Sequence, residues 1–265
     1  MVQETRTIVK EAYVEVLTSI FEQHSNDFLP LIARGEFYEH GIKGISNYML
    51  DYMGDIYRDE TRQKFYVTYL NRNYSKEGFC YTESENGFFD LNIEIMIFSQ
   101  IWESTYFLKF LARIATIISG GGYKWKTEIP SQDLFGFIKN RIIVPLERKN
   151  FKLGSLLRDN YNSKIRNAFA HSQYNIDMNS QMITFTYLEH KKFITEEVSF
   201  EKFQSLFLHA IILDNFSLGI IQNIGKWYLQ NGYTNIGVVQ LPNNKFLHIK
   251  IRERLGQPDY YTEKQ

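Results

Sequence analysis

Hydrophobic positions recur at helical spacing along most of this chain, and the spacing changes to strand-like alternation in two places. Residues 4 to 24 put Ile8, Ala12, Val16 and Ile20 near one face, which predicts a first helix, with Ser25 to Asp27 supplying a stop and a new cap. Through residue 74, Tyr-rich and Phe-rich segments broken at Gly35, Gly41, Gly44 and Gly54 predict several short helices. Tyr48, Tyr52, Phe65 and Tyr69 recur there at helical intervals and read as packing residues. The polar stretch from Ser75 to Gly87 predicts a loop with a short strand at Phe79 to Thr82, and a boundary between two parts of the chain. Asp90 then caps a long apolar helix over 91–118, stopped by Gly120, Gly121 and Gly122. No lysine and Ser/Thr pair follows these glycines in phosphate-loop register. Pro130 and Ser131 open another helix, with Leu134, Phe137, Ile138 and Ile142 on one face and an end or kink near Pro145.

Residues 153–171 predict the central helix. Leu157, Tyr161, Ile165 and Ala168 fill one side, and Asp159, Asn162, Ser163, Arg166, Asn167 and His171 share the other. Ordinary solvated faces are made of Glu and Lys; one made of Asn, Arg and His points to a site or an interface. The period then shortens. Tyr174–Asp177, Met182–Leu188 and Lys192–Val198 predict strands, Ser199 starts a last helix running to about Leu229, and Ile236–Leu241 with Lys245–Arg252 around Pro-Asn-Asn predict a terminal hairpin. The expected fold is mainly α: a helical bundle over 89–230 with a small β insert before its last long helix, an N-terminal helical region at 1–88, and a C-terminal hairpin and tail at 231–265.

Charge sharpens this picture. The 265 residues hold 30 basic and 30 acidic side chains, which excludes a global electrostatic footprint for nucleic acid. Locally the balance is uneven: residues 139–166 hold eight basic against two acidic residues, a net of +6, and residues 76–103 hold one lysine against six acids, a net of −5. The basic strip around the central helix suits a polyphosphate ligand. The single cysteine, Cys80, excludes an intrachain disulfide, and neither it nor the scattered histidines His24, His40, His190, His209 and His248 form a metal-ligand pattern, so no metal or cofactor is expected. The N-terminus has no apolar signal core, and His209, Asp214 and Asn215 interrupt the longest apolar stretch, so neither secretion nor a membrane span is expected and a cytoplasmic location is.

Arg166-Asn167-Ala168-Phe169-Ala170-His171 matches the Arg-Asn-x-x-x-His form of the Arg-x4–6-His motif, and over residues 90–230 the chain resembles the HEPN superfamily of small helical-bundle proteins, many of them ribonucleases. The loose spacing occurs once more, at Arg34 and His40, but without an amphipathic helix leading into it. The resemblance implies a metal-independent endoribonuclease of toxin–antitoxin or antiphage type, paired as a homodimer across a cleft and restrained by an antitoxin or sensor protein. RNA, transfer or messenger, would be the substrate. His171 is then the proton-transfer group, since an imidazole titrates near pH ~6.5, Arg166 the phosphate holder, and Asn167 their support. Arg158, Asp159, Asn162 and Lys164 are candidate substrate-binding residues upstream on the same stretch, and Glu103 is a further candidate acid. The alternative from another class is a catalytically silent bundle that binds RNA, a nucleotide or a protein through the same face. Residues 1–75 and the terminal hairpin are expected to tune activation or substrate access.

Overall fold

The computed structural model describes residues 1–38, 47–50, 53–74, 85–189, 192–254 and 256–262. In chain order the elements are α1 (Val2–Gln23), α2 (Ser25–Ile32), β1 (Glu36–Phe37), β2 (Tyr48–Met49), α3 (Met53–Asn73), α4 (Glu85–Ile101), α5 (Thr105–Ile118), α6 (Leu134–Phe137), a π-helical segment (Ile138–Ile143) and α7 (Val144–Arg148). After them come α8 (Lys152–Asn160), α9 (Ser163–Ala170), β3 (Tyr174–Asp177), β4 (Met182–Glu189), β5 (Lys192–Ser199), α10 (Phe200–Gln230), β6 (Asn235–Gln240), β7 (Phe246–Arg254) and β8 (Gln257–Tyr261). The fold is mainly helical, as expected, with 59% helix and 19% strand among the described residues.

The bundle forms around α10. Phe203, Phe207, Leu208, Ala210, Ile211 and Leu213 are all 0% exposed, and such a helix, apolar on every side, needs neighbours on every side. They are the helices α1, α2, α3, α4, α5 and α8, with β5, β7 and β8 also against it. Among the described residues α10 alone is long and apolar enough to cross a membrane, and 67% of that stretch is buried inside the fold. Its start is as expected, with the Ser199 hydroxyl accepting from the Lys202 N–H. On α1 the buried stripe is Val9, Ala12, Tyr13, Val16, Leu17 and Ile20, whereas Ile8 is exposed, because a strict four-residue spacing drifts around the helix.

Two expected helices are broken. In place of one helix over 91–118, α4 begins earlier, at Glu85, so Asp90 lies inside it and caps nothing; α4 then ends in a tightened turn at Trp102–Ser104. The Ser104 hydroxyl accepts from the Phe107 N–H and starts α5. In place of one helix over 153–171, α8 and α9 meet at Tyr161 and Asn162, both in extended backbone. The helix expected from Pro130 starts at Leu134 behind the cap Asp133 and continues through Pro145. Proline clashes with the carbonyl four residues back, and the π-helical turns just before it, with the Val144 N–H reaching Lys139 O, accommodate that. One long helix, α3, stands where several short ones were expected, and β1 pairs with β2 in an unforeseen two-stranded ladder. The strand expected at Phe79–Thr82, and Gly41, Gly44, Tyr52, Cys80, His40 and His190, lie outside the described residues.

The β insert follows its alternation closely, as the antiparallel sheet β3-β4-β5, with Ile183 and Phe185 buried against the bundle. The terminal hairpin gains a third strand, giving the antiparallel sheet β6-β7-β8. Its inner residues Val239, Leu247, Ile249, Ile251 and Tyr260 make a second core with Ala33 and Trp125. At Gly225 a Cβ would come within 2.6 Å of Pro258, so α10 has no side chain where β8 crosses it.

A buried acid on α10 links stability to pH. Asp214 of α10 is 3% exposed, and its carboxylate accepts from Gln63 Nε2 at 3.1 Å. Burial pushes its carboxyl from 3.8 up to about 7, against smaller opposing effects of the Gln63 hydrogen bond and the Arg62 charge. Between those pH values the folded protein holds a proton that the unfolded chain has released. The stability linked to Asp214 is therefore full below the unfolded value, falls as pH rises through this window, and is level above it. A shift of this size corresponds to roughly 4 kcal/mol at most. Asp214→Asn keeps an acceptor for Gln63 and removes the titration. Urea unfolding at pH 5 and pH 8 should show the wild type losing stability relative to Asp214→Asn by a few kcal/mol; equal pH dependence in both proteins would contradict the assignment.

Candidate functional site

The Asn162 cap builds the local structure of the motif. Its side-chain Oδ1 accepts from the N–H groups of Lys164 and Ile165, at 3.0 and 3.1 Å, and so starts α9. Ile165 and Ala168 are buried against the bundle, which turns Arg166 and Asn167 outward. At the other end His171 is the C-cap. Ser172 takes a left-handed conformation (φ 54°), its N–H bonds Phe169 O, and the Gln173 N–H bonds Ala168 O at 2.7 Å. This is a Schellman-type stop, and it fixes where the helix presents His171. The imidazole is exposed and makes no hydrogen bond or ion pair with any described residue.

Arg166 is held more tightly. Its Nε and Nη2 donate to the same carboxylate oxygen of Glu103, at 3.0 and 2.8 Å, and its Nη1 donates to Asn167 Oδ1 at 2.9 Å. Glu103 reaches it from the turn between α4 and α5. The Arg166 side chain is 21% exposed and that of Glu103 47%, so the pair adds little to stability; its effect is to aim the guanidinium. N–H groups of Nη1 and Nη2 remain for an anion, since a guanidinium has five and three are engaged. Tyr161 lies beside this group. Burial lifts its phenol to about 12, and the positive charge of Arg166 opposes that rise.

The four upstream candidates do other work in this conformation. Asn162 is the helix cap. Lys164 Nζ donates to Tyr187 OH on β4 at 2.6 Å and to the Glu196 carboxylate on β5, and it lies over the Tyr187 ring. These contacts raise the lysine above the ordinary amine range, through Glu196 first and Tyr187 second, and hold Glu196 below the ordinary carboxylate range. Lys164 thus ties α9 to the β insert. Arg158 pairs with Glu147 on α7 and, at 2.9 Å, with its neighbour Asp159. The structure brings together Arg166, Asn167 and Glu103, sets His171 one turn beyond Asn167, and directs Arg158, Asp159 and Lys164 into ion pairs.

The sequence reading missed Glu147, Glu196 and Tyr187 as partners. For Glu196 a signal existed, since strand alternation puts it on the same face of the hairpin as Tyr187's neighbours across the ladder, but nothing in the sequence tied that face to Lys164. Other histidines are structural or outside the site: His209 Nδ1 is 2.8 Å from Ser205 O within α10. Among the described residues no group of three or more His, Cys, Asp or Glu side chains forms a metal-ligand cluster.

Comparison with protein-family models, with curated proteins and with solved structures finds no match for this chain. The functional reading therefore rests on the chemistry of the site and the motif.

The cap is directly testable. Asn162→Ala should cost about 1 kcal/mol of stability and Asn162→Asp much less, because aspartate can accept the same two N–H groups. Denaturant midpoints of the three proteins check this; an Ala variant as stable as wild type would mean that the break between α8 and α9 does not depend on the cap.

Proposed function

We propose that this protein is a HEPN-type, metal-independent endoribonuclease that works as a homodimer, with Arg166, Asn167 and His171 as its catalytic group. The observation that carries the reading is the division of labour at the end of α9: a guanidinium held in place with N–H groups to spare, and an exposed imidazole one turn away with no described residue bonded to it. RNA brings its own nucleophile. A base removes the proton of a 2′-hydroxyl, the oxygen attacks the adjacent phosphorus, and the 5′-oxygen leaves as it takes up a proton. The products are a 2′,3′-cyclic phosphate and a 5′-hydroxyl. Arg166 neutralises charge on the pentacoordinate phosphorus, and Asn167 holds Arg166 through Oδ1 while its amide N–H groups face outward to the phosphate.

His171 moves the proton. Attacking and leaving oxygens lie on opposite sides of phosphorus, so one imidazole serves one of them; a second copy of the chain, with its own α9 across the cleft, supplies the other. RNA in the cytoplasm, and a partner that restrains the enzyme as an antitoxin or sensor would, complete this reading. One observation favours a second reading. Glu103 already balances the charge of Arg166, as expected of a binding module that performs no chemistry.

Substitution separates the two. His171→Ala and Arg166→Ala should each lower the RNA cleavage rate by about 10²–10⁴-fold with the fold retained, as read by initial rates and circular dichroism. Cleavage by His171→Ala at the wild-type rate would overturn the assignment, and a wild type that binds RNA without cleaving it would establish the binding module.

A further inference from the structure

A column of aromatic rings runs from the core to the surface beside Arg166. Its inner member, Trp102, is 0% exposed. Tyr161 follows with its centroid 4.8 Å away, and Phe135 lies 6.3 Å beyond that, its ring within 22° of parallel. Phe135 ends the column at 48% exposed, and Lys139 Nζ stands 5.7 Å from the centroid of its ring. The Trp102 indole N–H and the Tyr161 hydroxyl are buried without a hydrogen-bond partner among the described residues, so ring packing positions the column. Tyr161 sits in the break between α8 and α9, close enough to Arg166 to feel its charge.

A large apolar ring, packed on Tyr161 behind and half exposed, with only a lysine side chain over it, offers a place for another flat ring. The charge around it specifies which kind. Lys139, Arg141, Arg148 and Lys149 are exposed and have no ion-pair partner among the described residues, unlike Arg158, Lys164 and Arg166. Asp133, two residues before Phe135, is engaged in capping α6 through the Gly136 N–H at 2.9 Å. An exposed aromatic ring with an unpaired lysine over it, further cations along the same helical segment, and a tyrosine behind it that lies beside a guanidinium with free N–H groups, is the arrangement that takes a base and its flanking phosphates.

We infer that Phe135 is the stacking platform for an unpaired nucleobase, so that the RNA bound at Arg166 is single-stranded. The inference rests on the ribonuclease reading for its substrate and adds the strandedness and the residue that reads it. A base within a duplex is covered on both faces and cannot join the column. Lys139, on a flexible stem, turns from the ring to a flanking phosphate when the base arrives.

The test is fluorescence anisotropy with the full chain and a labelled 2′-O-methyl oligonucleotide, which lacks the attacking hydroxyl and so reads binding apart from cleavage. The wild type should bind the single strand more tightly than the same strand in duplex. Phe135→Leu, which keeps an apolar side chain against Tyr161, should weaken single-strand binding on the order of tenfold, given ~1–3 kcal/mol for base–aromatic stacking. Phe135→Tyr should retain it. Single-strand binding unchanged in Phe135→Leu, duplex bound as tightly as single strand, or no binding by the wild type would each overturn the platform. Binding that depends on Phe135 in a protein whose cleavage is unaffected by His171→Ala would uphold the platform and defeat the nuclease assignment.

Discussion

The contact between the α4–α5 turn and the start of α9 organises the functional end of this molecule. Two helices that apolar spacing would continue are each interrupted, and each restart is capped by a short polar side chain, Ser104 in one and Asn162 in the other. The interruptions face one another. Trp102 packs on Tyr161, and Glu103 grips Arg166. Continuous helices would carry Glu103 and Arg166 along straight axes, whereas the breaks allow a glutamate and an arginine 63 residues apart in sequence to meet. Burial of α10 stabilises the bundle, but these two breaks decide what the bundle presents.

Electrostatics follows from the same arrangement. The chain is neutral overall, with its positive charge gathered between residues 139 and 166. The fold sorts that strip in two. Arg158, Lys164 and Arg166 are spent on carboxylates of α7, β5 and the α4–α5 turn, and they fix α8 and α9 in place. Lys139, over the Phe135 ring, and Arg141, Arg148 and Lys149, further along the same segment, remain open to solvent. Arg158 and Lys164 are thus scaffolding, Arg166 is held by Glu103 but keeps N–H groups for an anion, and the unpaired part of the strip lies on the neighbouring helical segment. The −5 stretch supplies Glu103 to the motif and otherwise turns inward in part, as with Glu94, 0% exposed and bonded by Tyr69 and Tyr74.

Much of the fold was legible because period and cap signals agree. The β insert and the start of α10 follow from alternation in 182–199 and from Ser199. The breaks were not legible, since Leu157, Ile165 and Ala168 keep helical spacing across Tyr161 and Asn162 and remain buried on both sides of the interruption. Asn162 two residues ahead of Lys164 is a cap signal, but a mid-helix asparagine on a polar face looks the same. Strand β8 was hidden by Pro258 and Asp259, poor strand formers that an edge strand tolerates. Of the site, the motif itself and Glu103 were readable. The pairing of Lys164 with Glu196 was not, because it joins residues 32 apart through a fold the local pattern does not encode. Tyr161 was read only as an apolar position and Phe135 carried no signal of its own, and their stacking beside Arg166 needed the α8–α9 break to exist.

The central claim is that Arg166 and His171 promote attack by RNA's own 2′-hydroxyl. Its most direct test is to incubate the purified protein with total RNA in excess EDTA and determine the ends of the fragments. Fragments bearing 2′,3′-cyclic phosphates and 5′-hydroxyls are the predicted result. Fragments with 3′-hydroxyl ends, or no cleavage under conditions where the protein is folded and dimeric, would contradict it.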